Sequence, residues 1–351
     1  MKNKRIWYAG IPGCLVGISF VGQACVSDFL PDSLDAFDKD ATFSTTVFEP
    51  VLGRNTVLSE VFNPGNSTLP LTFTITRIEA ADGSEAPELT DVFPVRVWNT
   101  PYLGTETTLE EIEKKRSYEY RTLFEVREHS GDFVMWANAL SSFVKCAPAE
   151  GYVFDVKAEN SGGYQVYTDL QLIPTREMDY EPNTTDEETG FITDDYVTPT
   201  SVTNLYAEGS SSSFNLLEEE DVQIYFRRDY DNTDTEYTLT FRFMEADYTP
   251  INPSRFSNTD WNTLVHGFDM EMTDEYVRYK VAYPIPLSNM VTDYTNEDGD
   301  MASVKFSYDR LFYNSTRITA SINFEFAIYT EGHWEIVFVF AGGSPDFSNI
   351  E

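Results

Sequence analysis

An all-β protein of two β-sandwich domains is what this sequence predicts, on three observations. Short runs alternate apolar and polar residues, turn residues separate the runs, and no helical pattern interrupts the strand text of the second half. The run LPLTFTITRI (69 to 78) is the clearest. Leu71, Phe73 and Ile75 fall on one face and Thr72, Thr74 and Thr76 on the other, the period of a half-buried strand. Asn63-Pro64-Gly65-Asn66 and Asp82-Gly83 supply turn chemistry on either side.

The chain opens with Lys2, Lys4 and Arg5, then an apolar stretch from Ile6 to Val21, then Gly22-Gln23-Ala24-Cys25. That is the build of a secretory signal over residues 1–24. Pro12 and Gly13 break the apolar stretch, and it falls short of the ~20 apolar residues of a bilayer span. Small residues followed directly by cysteine resemble a bacterial lipobox, which implies lipidation at Cys25 and an anchor in a membrane. An ordinary signal cleaved after Ala24 gives similar text, and Cys14 has too little apolar sequence before it to serve. Residues 25–40, acidic and with Pro31, read as a lipidated tether.

The first sandwich is expected over residues 41–177. Its strand text is TFSTTVFE (42 to 49), NTVLSEVF (55 to 62), 69 to 78, YEYRTLFEVRE (118 to 128), DFVMWANA (132 to 139), GYVFDVKAEN (151 to 160) and YQVYTDLQLI (164 to 173). One short helix is expected from Thr108 to about Tyr118. Thr107 with Glu110, or Thr108 with Glu111, can form a capping box, and Lys114, Lys115 and Arg116 suit a helix C-terminus. It reads as a connector.

Between Met178 and Thr198 lie seven carboxylates and no basic residue, so 178–199 is expected to be an acidic linker. Strand text returns at 222 to 230, 235 to 246, 275 to 285, 301 to 313, 317 to 330 and 333 to 341, and predicts a second sandwich over 200–351.

The formal charge is −34, and loss of Lys2, Lys4 and Arg5 with the signal takes it to about −37. Such a surface repels phosphate backbones and anionic headgroups, which argues against nucleic acid and leaves membrane attachment to lipid. Beyond the signal and Cys25 only Cys146 remains, so the core, not a disulfide, must hold the fold.

No catalytic motif stands out. His129, His266 and His333 form no metal pair, no Gly-x-Ser-x-Gly surrounds a serine, and each histidine reads as a surface or turn residue. With 58 acidic residues a carboxylate pair is always available on paper, so it does not by itself argue for a glycosidase. Two acidic turns are candidate Ca²⁺ sites, one with Asp229, Asp231 and Asp234, the other with Asp298 and Asp300. Aromatic residues make up 15% of the chain. Phe241, Phe243, Phe324 and Phe326 alternate as core, and Trp136 and Trp334 lie within strand text. Trp261, with Asp260 and Asn262, and Trp98, with Tyr102, sit instead in polar loops. An exposed ring beside amides and carboxylates is what a sugar face needs, so these five are the candidate ligand-binding residues.

The segment Ala149-Glu150-Gly151-Tyr152, with Phe154, Val156 and the turn Asn160-Ser161-Gly162-Gly163, resembles the closing hairpin of immunoglobulin-like bacterial domains. The second sandwich reads as immunoglobulin-like or jelly-roll-like. FNPGNSTLPLTFTI (62 to 75) and GDFVMWANA (131 to 139) resemble an uncharacterised family of Bacteroides and Parabacteroides surface lipoproteins, and Asp32-Ser33-Leu34 resembles the O-glycosylation motif of those bacteria. The resemblance implies a lipid-anchored, surface-exposed outer-membrane protein without catalytic activity. It would bind polysaccharide as an accessory to an outer-membrane transporter complex. Two other roles remain open. One is a fimbrillin-like pilus or adhesin subunit cut after Arg54, and the other a glycoside hydrolase.

Overall fold

The computed structural model describes residues 35–186, 191, 193, 195–209, 215–312 and 316–348. The signal, Cys25 and Asp32-Ser33-Leu34 lie outside the described residues. The protein is all-β, as the alternation predicts, and its buried apolar residues form two large cores.

The first core lies between a four-stranded and a three-stranded sheet. In the former, Val47–Phe48 pairs parallel to Gly163–Leu172, which pairs antiparallel with Tyr152–Asn160 and then Thr72–Ala80. The latter runs Thr56–Leu58, Phe133–Met135, Phe124–Val126. This is an immunoglobulin-like arrangement, with the closing hairpin at Asn160–Gly163 where the sequence places it. Phe133 links the sheets: it meets Phe124 stacked at 5.3 Å, and Phe48 and Phe154 edge-on at 4.7 and 5.3 Å. Tyr152, wholly buried, opens its strand with a tyrosine corner: its hydroxyl accepts from the Lys145 N–H and donates to Glu88, both at 2.7 Å. Gly151 has φ of +69°, and a Cβ there would stand 2.2 Å from the Leu172 carbonyl oxygen, so glycine is required beside the corner.

The second core is larger. A mixed sheet runs Val222–Asp229, His333–Phe340, Thr238–Glu245, Val277–Val281, Gly267–Met272. His333–Phe340 pairs antiparallel with the first of these and parallel with Thr238–Glu245. The facing sheet is built on Thr316–Ile328 and Ala302–Phe312. Phe241 and Phe243 meet Phe306 at 5.5 and 4.8 Å across the gap.

Three segments differ from expectation. Residues 35–40 of the tether lie along the first sandwich, where the Ala36 carbonyl accepts from the Thr68 N–H at 2.8 Å and the Asn160 amide at 2.9 Å. Within the acidic 178–199 stretch, Tyr180–Glu181 joins the second sandwich as an edge strand on Thr316–Ile328, and the Tyr180 ring stacks on Phe226 at 4.1 Å. The helix is shorter, Leu109–Lys114, with Thr108 capping the Glu111 N–H at 3.2 Å. It is more than a connector, because Ile112 is completely buried in a third, small cluster with Tyr102, Ala282 and Leu287.

Replacing Tyr152 by Phe strands the Lys145 N–H and Glu88, and should lower stability by about 1–3 kcal/mol with the slope of the urea transition unchanged.

Candidate functional site: the interdomain cleft

Between strands Thr72–Ala80 and Phe124–Val126 of the first sandwich the chain makes a long excursion. It forms a hairpin of Val92–Trp98 and Arg116–Thr122, with the short helix inserted before the second strand. Register gives the hairpin two faces. Val95 and Val97 are buried against the first core. The pairs Trp98 with Arg116, Arg96 with Tyr118 and Pro94 with Tyr120 alternate with them on the other side.

That outer side meets the second sandwich and encloses a cavity of about 440 Å³. Trp98, Tyr118, Tyr237 and Tyr329 line it with Arg54, Arg96, Arg116 and Arg228. A broader cavity of about 910 Å³ adjoins it along Trp98, Arg96 and Arg54 and reaches Trp136, which has Arg121 at 5.5 Å and Arg127 at 5.7 Å from its ring. These volumes are in the range of ligand sites.

The cationic groups also join the two sandwiches. Arg54 donates to Glu181 at 2.7 Å and to the Tyr329 hydroxyl at 2.6 Å. Arg96 pairs with Glu331 at 2.6 Å and donates to the Tyr118 hydroxyl at 2.8 Å. Arg116 donates to the Tyr283 carbonyl at 2.7 Å and pairs with Glu113. Burial holds the Arg116 guanidinium below its ordinary pKa; the attraction of Glu113 acts against this and the positive charge of Arg96 adds to it.

Beside the cleft, Tyr102 and His266 lock the domains. The Tyr102 hydroxyl donates to His266 Nδ1, His266 Nε2–H donates to the Glu106 carbonyl at 2.8 Å, and Tyr294 stacks on the imidazole at 4.6 Å. A carbonyl can only accept, so Nε2 carries the proton and Nδ1 receives the phenol: the neutral imidazole satisfies both bonds. Burial pulls the His266 pKa below 6.5.

The expected site residues are not gathered in one place. Trp98 does line both cavities. Tyr102 is 7% exposed and belongs to the lock. Trp261 is not an open ring: it packs on Phe306 at 5.6 Å and Phe243 at 6.3 Å, and its carbonyl accepts from Tyr279 at 2.5 Å. Asp260 and Asn262 beside it are exposed and line neither cavity. The polar text around Trp261 had concealed a ring turned inward to cover the second core.

The acidic turns do not converge on a cation. Asp229 accepts from the Asp231 and Asn232 N–H groups, and Asp229 and Asp234 share a cavity wall with Arg227, Arg228, Arg278 and Lys280, which would repel Ca²⁺. In the other turn Asn296 binds Asp300 at 2.8 Å and caps Gly299 and Met301, while Asp298 points outward, exposed. Among the described residues no three His, Cys, Asp or Glu side chains are grouped to hold a metal. His333 is buried, held by Thr238 at 3.0 Å, and Cys146 is a buried free thiol; of the three histidines, His129 is the exposed one.

From sequence Arg116 suits a helix C-terminus. It instead opens the following strand and faces the cleft, as its pairing with Trp98 requires.

Fold and cleft together define a two-sandwich β protein with a ligand-sized cavity between its domains. The chain belongs to the family described as a domain of unknown function (DUF5007), which it matches over residues 62–349. That match takes in most of the first sandwich and most of the cleft, but not Arg54. No curated protein matches the sequence. Among solved structures, the immunoglobulin domains 1–4 of Sidekick-1 align with 86% of this chain and 73% of that one, at 8% identity and a TM-score of 0.13. A likeness at that level carries no argument.

Two outcomes follow. Trp261→Ala should cost about 2 kcal/mol of stability by thermal or urea unfolding, since it uncovers Phe243 and Phe306. Because the folded pKa of His266 lies below 6.5, the unfolded chain takes the proton first. The stability His266 contributes is therefore complete above pH 6.5 and lost progressively below it. His266→Asn should flatten the fall in melting temperature between pH 7 and pH 5.5.

Proposed function

We propose that this chain is a non-catalytic, lipid-anchored outer-membrane protein of the cell surface that binds polysaccharide in its interdomain cleft, as an accessory to nutrient uptake. One observation carries the reading: the aromatic row on the outer face of the hairpin. Trp98 lies at the cavity wall, and Tyr118 and Tyr120 follow on the paired strand, 62% and 74% exposed. Alternate residues on one strand lie about 7 Å apart on the same side. Exposed tyrosines in such a row offer flat apolar faces to successive sugar rings, with Arg96 between them as donor. Rings this exposed contribute little to the fold, which supports a role in contact with something outside the chain.

Two carboxylates at the cavity walls are engaged with cations, Glu331 with Arg96 and Glu181 with Arg54. That pairing favours binding over an acid and nucleophile pair. It also gives Arg54 an interdomain duty, so cleavage there is not needed to account for it.

The double variant Tyr118→Ala, Tyr120→Ala should lower retention on the polysaccharide that the wild type binds by at least tenfold, with a melting temperature within about 2 °C of wild type. Affinity electrophoresis across plant, host and microbial polysaccharides checks it. A variant that still binds normally would remove the hairpin from the site.

A further inference from the structure

The cleft reverses the sign of the protein. Over the whole chain 58 acidic residues outweigh 24 basic ones. Yet Arg54, Arg96, Arg116 and Arg228 line the inner cavity against one carboxylate, Glu331, among its described lining residues. In a molecule this acidic, such a cluster creates a local positive potential where the two domains leave ligand-sized room.

Arg96 and Arg116 are the centre of it. Their strands pair so that the two guanidinium groups lie on the same face, two rungs of the ladder apart in register, and both reach for one acceptor, the Tyr283 carbonyl, at 3.4 and 2.7 Å. A single carbonyl has two lone pairs, and two guanidinium groups carry ten N–H donors between them. The Arg116 side chain is 4% exposed, and its Nε is buried without any hydrogen-bond partner. A buried cation with an unanswered donor beside a cavity is an arrangement that an incoming anion would complete. Each guanidinium also has a ring next to it: Arg116 over Trp98 at 5.3 Å and Arg96 over Tyr118 at 5.4 Å.

Resting on the glycan-binding reading above, we infer that the cleft is selective for an acidic saccharide, one carrying carboxylate or sulfate groups, whose anions sit on Arg96 and Arg116 while its rings lie on Trp98 and Tyr118. Guanidinium groups match both anions bidentately. Carboxylate and sulfate share this chemistry, so the probes separate them.

The experiment titrates the purified protein at 150 mM salt, by calorimetry, with three oligosaccharides of equal length: an oligogalacturonate, a sulfated galactan free of uronic acid, and a neutral cello-oligosaccharide. One or both acidic probes should bind at least tenfold tighter than the neutral one, and which of them does names the anion. Arg96→Gln should abolish that preference. Because Arg96 also holds Glu331 across the interface, a second variant guards the result. Glu331→Gln removes the carboxylate that competes for Arg96 and should tighten the acidic probe severalfold, a gain that misfolding cannot produce. Neutral and acidic probes binding alike, or Glu331→Gln leaving the acidic probe unchanged, overturns the acidic-ligand inference and leaves glycan binding standing. Failure of all three probes, together with silence of the polysaccharide panel, overturns both.

Discussion

Everything proposed for this chain depends on how the hairpin excursion of the first sandwich docks on the second. Ile112 and Tyr102 enter an apolar seat formed by Ala282 and Leu287, and His266 closes it with two hydrogen bonds that suit its neutral form. The seat buries little apolar area compared with either core, so the polar clamps around it are needed to set the angle between the domains. Arg54 with Glu181 and Arg96 with Glu331 do that beside the cavities. Their partial exposure would make them weak as isolated pairs. Their value is directional, because planar guanidinium groups fix the geometry of whatever they join.

The same groups explain why the cleft differs chemically from the rest of the surface. Over the whole chain carboxylates are in excess, 58 acidic residues against 24 basic. Arginine is then concentrated where carbonyls and tyrosine hydroxyls can receive it, as at Tyr283, Tyr118 and Tyr329. Aromatic residues follow a matching division. Phe fills much of the two cores, with Phe133, Phe241 and Phe243 fully buried, while Trp98, Tyr118, Tyr237 and Tyr329 line the domain boundary.

Much of the fold was legible in the sequence. Period-two runs with turn residues between them marked most of the long strands, because each has one face on a core. Val92–Trp98 escaped notice since Pro94 interrupts it, a residue expected at sheet edges and tolerated here in a two-stranded hairpin. Gly267–Met272 escaped for lack of alternation; its register slips between Phe268 and Glu271. The candidate site was far less legible. Trp98 was readable from its polar neighbours, but the same signal misled at Trp261, since loop composition does not say which way a ring folds. The guanidinium cluster could not be read at all. Arg54, Arg96, Arg116 and Arg228 are scattered over about half the chain; hairpin pairing joins Arg96 to Arg116, and tertiary docking brings in the other two.

The strand His333–Phe340 is near the end of the sequence yet lies inside its sheet, with Val222–Asp229 on one edge and Thr238–Glu245 on the other. Until it arrives those two strands have no common partner, and the sheet that carries Phe241, Phe243 and Ile224 is split in two. A chain that emerges from its N-terminus can therefore finish the first sandwich early, while the second stays open until His333–Phe340 is delivered. The cleft, which needs both, is the last feature to form, so a stop between residues 178 and 340 should leave a folded first sandwich that has no site.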